Sequence, residues 1–152
     1  MAKMPPAAVE YRQPGSAERL FNRFWGWMVG LGLGFSYNYL LEVRGRKSGN
    51  IYSTPIDLLK LNGRRYLVAP RGRTQWVRNA EAAGELTLKK GSHRQVFTPR
   101  PLSEEEKLPI LKAYLDRFRT EVQRYFPIKA GSDPESFRAV AKDYPAFELQ
   151  PK

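Results

Sequence analysis

Between Tyr39 and Thr98 the chain is cut into short runs by turn-forming residues, and this rhythm limits what it can fold into. Strands are predicted over Tyr39–Val43, Tyr52–Leu61, Arg65–Ala69, Glu85–Lys89 and His93–Thr98. Asn62-Gly63 is a strong hairpin signal, and Gly91 turns one strand into the next. The single helix predicted inside this span, Gln75–Ala83, is short and ends at Gly84. A parallel sheet needs a crossover helix between successive strands. Several short strands joined by tight turns instead point to a mainly β (α+β) domain, a small barrel with flanking helices.

The flanks are helical. Ser16 reads as an N-cap, and Leu20, Phe21, Phe24, Trp25, Met28 and Leu31 follow at helical spacing, with glycines weakening the far end. After the strands, Ser103 and Glu106 form a capping-box signature that opens a helix to about Tyr125. Pro109 lies in its first turns or kinks it. Asp133-Pro134 starts a further short helix, and Ala146–Leu149 a final strand. Residues 1–15, rich in Pro and Ala, read as a loose tail, leaving 16–152 as one domain.

Phe24–Leu41 carries no charge over 18 residues, the lower edge of membrane-spanning length. Its four glycines, with Ser36 and Asn38, argue against a spanning helix. The preferred reading is an amphipathic helix that packs on the barrel or over a pocket, followed by entry into a strand. The second is a helix lying on the inner face of a membrane, with Trp25 and Trp27 beside Arg19 and Arg23. The chain has no cysteine, which fits a cytoplasmic location. Its one histidine, His93, excludes a multi-histidine metal centre.

Charge narrows the function. The net charge is +11, and Val43–Arg100 carries 13 Lys or Arg against three acids, Asp57, Glu81 and Glu85. A field this lopsided implies an anionic partner: a phosphorylated cofactor, nucleic acid or an acidic membrane. The cations gather in two loops. Arg44-Gly45-Arg46-Lys47-Ser48-Gly49 combines glycines that let backbone N–H groups approach an anion with cationic and hydroxyl donors; alone it reads equally as a solvated turn. Ala69-Pro70-Arg71-Gly72-Arg73-Thr74 leads into Gln75-Trp76-Val77-Arg78-Asn79 at a helix start, where an anion or an electron-rich ring edge is favoured.

Taken together, Gly45-Arg46-Lys47-Ser48-Gly49 with Thr54-Pro55, and Trp76-Val77-Arg78-Asn79 before a strand at Leu86, resemble the deazaflavin-dependent nitroreductase and quinone reductase family, which uses coenzyme F420. The resemblance runs from about Leu40 to Gly91, and the ending Tyr144-Pro145-Ala146-Phe147-Glu148-Leu149 is similar to one branch. It implies a split β-barrel of the FMN-binding type. It further implies that Arg46, Lys47, Ser48 and Gly49 meet the cofactor's phosphate and acidic tail. Ser53, Thr54, Pro55 and Ile56 would line the strand beside it, and Ala69, Pro70, Arg71 and Gly72 would supply backbone and charge. Gln75, Trp76, Val77, Arg78 and Asn79 would hold the ring region. Val77 stands where many relatives have an aromatic and Arg78 where they often have His, which sets the chain apart from the nitroimidazole-reducing members.

With such a cofactor the hydride chemistry belongs to the cofactor, and the protein orients it in a dry site. An apolar acceptor is then expected: a quinone, an enone or an unsaturated lipid-like molecule. Proton delivery falls to solvent or a tyrosine, Tyr37 or Tyr125 first, with Tyr39 and Tyr114 behind them. The alternatives are a single-strand nucleic-acid barrel, a cofactor carrier without turnover, and FMN or haem in place of the deazaflavin. The acidic tail matches the positive field and favours the deazaflavin over FMN, the cations clustered in turns beside Gly and Pro and the paired motifs speak against nucleic acid, and His93 is the only imidazole for a haem. The resemblance also implies a homodimer.

Overall fold

A computed structural model describes residues 36–152. The tail and the aromatic helix expected after Ser16, including its contact with the barrel, a pocket or a membrane, lie outside the described residues. Among the described residues, no helix is long and apolar enough to cross a membrane.

Seven strands form one antiparallel sheet: β1 (Asn38–Arg44), β2 (Ile51–Asp57), β3 (Leu59–Leu61), β4 (Arg64–Val68), β5 (Leu86–Lys90), β6 (His93–Pro101) and β7 (Ala146–Pro151). Their order is β2-β1-β5-β6-β7-β4-β3. The strand read as Tyr52–Leu61 is in fact two, broken at Leu58. Its halves occupy opposite edges of the sheet, although one residue separates them. Such a connection is possible only if the sheet curls until its edges nearly meet, so this corner gives the split β-barrel its closed side. Leu58 is buried, and its N–H donates to the Tyr37 carbonyl at 2.8 Å.

The hairpins follow their turn residues. Asn62 (φ 52°) and Gly63 (φ 76°) both take the left-handed conformation, the pair of positive φ angles that a two-residue β3–β4 turn with the native twist requires. The Lys90–His93 pairing of β5 with β6 closes over Gly91 and Ser92.

Two apolar clusters share β4 and β7. Leu67, Phe147 and Leu149 point into the barrel with Leu41, Val77, Leu86 and Phe97. Tyr66, Val68 and Ala146 point the other way, under the long helix. The period of two in these strands thus feeds both cores. Helix α1 (Gln75–Ala83) follows β4 and ends on Gly84. Helix α2 (Glu104–Val122) covers the outer face through Leu108, Leu111, Leu115 and Phe118. It begins with the capping box: Glu106 N–H donates to Ser103 Oγ at 3.1 Å, and Ser103 N–H to Glu106 Oε1 at 2.9 Å. The backbone leaves helical geometry at Phe118 (φ −114°, ψ 25°), well past Pro109, and a 3₁₀ turn over Gln123–Tyr125 follows.

Candidate functional site

The loop between β1 and β2 is built from its own backbone. Gly45 N–H donates to the Asn50 carbonyl at 2.7 Å, and Gly49 N–H to the Gly45 carbonyl at 3.0 Å. A Cβ on Gly45 would stand 2.5 Å from the Tyr52 ring, so only glycine lets the ring lie over the loop. Ser48 Oγ meets Tyr52 Oη at 3.1 Å and accepts from Asn50 N–H.

Helix α1 holds this loop in place. Asn79 is buried, and its Oδ1 accepts from both the Arg46 N–H (3.1 Å) and the Arg46 guanidinium (2.8 Å). The same guanidinium nitrogen donates to Gln75 Oε1 at 2.9 Å. Lys47 is exposed and engages no described residue. In the second loop the two arginines divide: Arg73 forms a two-toothed pair with Glu81, while Arg71 faces the cavity.

The two loops border one cavity of about 1030 Å³. Of the residues singled out from sequence, Arg46, Lys47, Ser48, Ser53, Thr54, Pro55, Ile56, Ala69, Pro70, Arg71, Gln75, Trp76 and Asn79 line it. Four do not. Gly49 and Gly72 shape the loops at positive φ (77° and 87°), Val77 is fully buried in the barrel core, and Arg78 is exposed away from the lining. Of the tyrosines, Tyr114 and Tyr125 line the cavity, whereas Tyr37 and Tyr39 do not. Tyr39 lies under the Lys90 ammonium at 5.0 Å, and Tyr125 under the Arg124 guanidinium at 4.8 Å.

The lining suits an anionic, partly planar ligand. Arg46, Lys47 and Arg71 bring positive charge, and Pro55, Ile56, Val68, Ala69 and Trp76 bring an apolar wall. Trp76 is seated by Phe147, ring centres 6.0 Å apart. Thr74 stands at the N-cap of α1 with no capping hydrogen bond, and its Oγ1 is buried without a partner. A buried hydroxyl left unsatisfied beside a cavity is an open place for a ligand's polar atom.

The opposite end of β2, about 20 Å away at strand rise, has a different character. Asp57 lines the cavity there together with Asn38, Tyr114 and Glu121. Asn38 Nδ2 donates to Asp57 Oδ1 at 2.6 Å. Burial, then the charge and hydrogen bond of Glu121, push the Asp57 carboxyl up to about 8 against the opposing Asn38 donation. Burial and these two acids also push the Tyr37 and Tyr114 phenols up. Sequence reasoning missed this acidic end. Asp57 stood out only as one of three acids in a basic stretch, and Glu121 carried no signal, because only the curl of the sheet against α2 brings it there.

Several comparisons fit this architecture. A family model described as F420H(2)-dependent quinone reductase matches residues 17–133. No curated protein matches the chain in sequence. Among solved structures, one described as a domain-swapped dimer is 20% identical, with a TM-score of 0.55, covering 88% of this chain and 93% of that one. The F420-H2 dependent reductase FDR-A is also 20% identical, with a TM-score of 0.51, covering 76% and 95%. The haem storage protein HutZ from Vibrio cholerae is 10% identical, with a TM-score of 0.54, covering 78% and 83%. At these identities the structures show the shared fold.

Proposed function

The chain belongs to the F420H(2)-dependent quinone reductase family, and from that premise we propose that its cavity binds coenzyme F420 and reduces an apolar acceptor of the quinone, enone or unsaturated-lipid class. It is an F420-dependent oxidoreductase; the acceptor class and the residues named here are our reading. When bound, the reduced deazaflavin supplies a hydride.

The observation that carries the reading is one cavity that gathers Arg46, Lys47 and Arg71 near the buried, unpartnered Thr74 hydroxyl. Lys47 and Arg71 meet the phosphate and acidic tail as charges, and Ser48 offers a hydroxyl. Arg46 contributes what the Gln75 and Asn79 clamp leaves free. Thr74 Oγ1 takes a polar atom of the cofactor at the start of α1. Ser53, Thr54, Pro55, Ile56, Ala69, Pro70 and Trp76 form the walls that orient the ring and exclude water. Gly49, Gly72 and Val77 act through the shape of the loops and the seating of α1, and Arg78 adds to the outer field.

The test is a binding titration with oxidised F420, FMN and a random oligonucleotide, read by fluorescence. Saturable deazaflavin binding, tighter than FMN and weakened about tenfold by Lys47→Ala, is expected. Salt-sensitive oligonucleotide binding without deazaflavin binding sinks the reading.

We also propose a homodimer built on the outer edge strand. Ile51 and Tyr52 of β2 are 53% and 51% exposed, and an open strand edge with apolar side chains favours pairing. Light scattering of the purified chain at the mass of a monomer would refute it.

A further inference from the structure

We propose that Asp57 and Glu121 hold one proton between them at the cavity wall and that Asp57 gives it to an oxygen of the acceptor during reduction, an inference that rests on the reductase reading above.

The geometry starts with an imbalance. The chain has 26 Lys and Arg, yet among the described residues none forms an ion pair with Asp57 or Glu121. Glu121 Oε2 is buried and has no hydrogen-bond partner, although the Glu121 carboxyl lies within hydrogen-bonding reach of Asp57 and of the Tyr37 hydroxyl. These two facts agree once a proton is counted. Two carboxylates offer each other only acceptors, whereas a carboxylic acid and a carboxylate satisfy one another. Asn38 Nδ2 already donates to Asp57 Oδ1, which leaves Oδ2 as the oxygen for the proton shared with Glu121.

The surroundings preserve this arrangement. Tyr37 and Asn38 approach from the start of β1, and Tyr114 and Tyr125 from α2 and the turn after it. Two nearby cations are engaged elsewhere. Arg117 lies over the Tyr37 ring at 5.6 Å, and Lys90 donates to the Asn38 carbonyl. Arg119 and Arg124 line the cavity without bonding either acid. Position matters too. Asp57 ends β2 at the corner where the barrel closes, and Glu121 lies three residues beyond the break at Phe118.

The step balances simply. The acceptor gains two electrons and one hydrogen as hydride from the reduced cofactor, and it then needs one proton on oxygen. The Asp57 Oδ2–H bond breaks, an O–H bond forms on the acceptor, and Asp57 is left ionised. Two neighbouring carboxylates repel, which draws a proton back from water before the next turnover. A carboxyl raised to about 8 is better matched to this task near neutrality than the Tyr37 or Tyr114 phenols, raised beyond the ordinary value of about 10.

The test has a spectroscopic arm and a kinetic arm. Apo wild type, Asp57→Asn and Glu121→Gln are titrated from about pH 5 to about pH 10 while the infrared C=O band of a protonated carboxyl is followed. Wild type should lose one such band near neutral to mildly alkaline pH. Asp57→Asn should lack it, and Glu121→Gln should shift it down by about one pH unit or more. With F420 and a soluble naphthoquinone, wild-type kcat should fall on the alkaline side. Asp57→Asn should lose about 100-fold in kcat with no alkaline limb, retaining deazaflavin binding, and Asp57→Glu should restore part of both. Deazaflavin binding by wild type with no titrating carboxyl, or Asp57→Asn with the wild-type pH profile, overturns the proposal alone. Failure of wild type to bind the deazaflavin removes the reading beneath the proposal and the proposal with it.

Discussion

Arg46 and Asn79 show how a residue chosen as a ligand also serves as scaffold. Both belong to the motifs that single out the two loops, and both line the cavity, yet they bond first to each other. Asn79 is 4% exposed, so its amide oxygen cannot be replaced by water without opening the loop–helix contact. Replacing Asn79 by Ala leaves the Arg46 N–H and guanidinium without that acceptor, which costs about 1–3 kcal/mol. Urea unfolding should show that loss, and the deazaflavin titration should show weaker binding with slower association, because the loop must reorder. Unchanged stability together with weaker binding would make Asn79 a ligand only. Residue types and spacing made both positions legible as parts of one candidate site. They could not distinguish a side chain that touches a ligand from one that touches its neighbour, and Val77 illustrates the same limit. It occupies a motif position, but its apolar branched side chain is drawn fully into the barrel core.

At the scale of elements, local signals were legible where local chemistry decides. The Asn62-Gly63 turn, the Gly84 stop and the Ser103–Glu106 capping box each rest on a few neighbouring residues, and each stands where its residues put it. The capping box is testable on that basis. Ser103→Ala removes the acceptor for Glu106 N–H and lowers stability by about 1 kcal/mol, read as a lower denaturant midpoint with unchanged slope. A drop of several kcal/mol would mean that Ser103 carries tertiary structure instead. The elements that escaped the sequence are tertiary in origin. Tyr52–Leu61 contains no interior glycine and reads as one strand, and its break at Leu58 exists because the two halves pair with strands on opposite edges. Likewise Pro109, the obvious kink signal, leaves α2 intact, and the distortion falls at Phe118, which is buried and packed between Tyr37 and Tyr114 at ring distances of 4.8 and 5.2 Å.

For the whole molecule, the acid end of the cavity couples folding to pH. Asp57 has an ordinary carboxyl value of 3.8 when unfolded and is pushed up to about 8 by burial and by Glu121 in the fold. Between these values the folded chain holds a proton that the unfolded chain has released. Stability from this group is therefore fully present below the unfolded value, and it declines as pH rises through the window to the folded value. One proton taken up on folding corresponds to a slope of at most about 1.4 kcal/mol per pH unit. Carboxylates with the opposite shift, such as Glu106 held down to about 2 mainly by Arg100, act on the acid side and leave this window alone. The chain has one histidine, so few other groups change charge there. Asp57→Asn keeps an amide in place of the neutral carboxyl and has no proton to lose. Its denaturation midpoint should stay nearly flat from about pH 5 to about pH 8 while that of wild type falls, so the variant gains on wild type as the solution becomes alkaline. Urea midpoints measured for both proteins across that range decide the matter. Parallel curves would mean that Asp57 is ionised throughout and that the cavity carries two full charges on that wall. Curves that diverge as pH rises through the window up to about 8 would mean that the fold itself keeps one proton at the corner where the barrel closes.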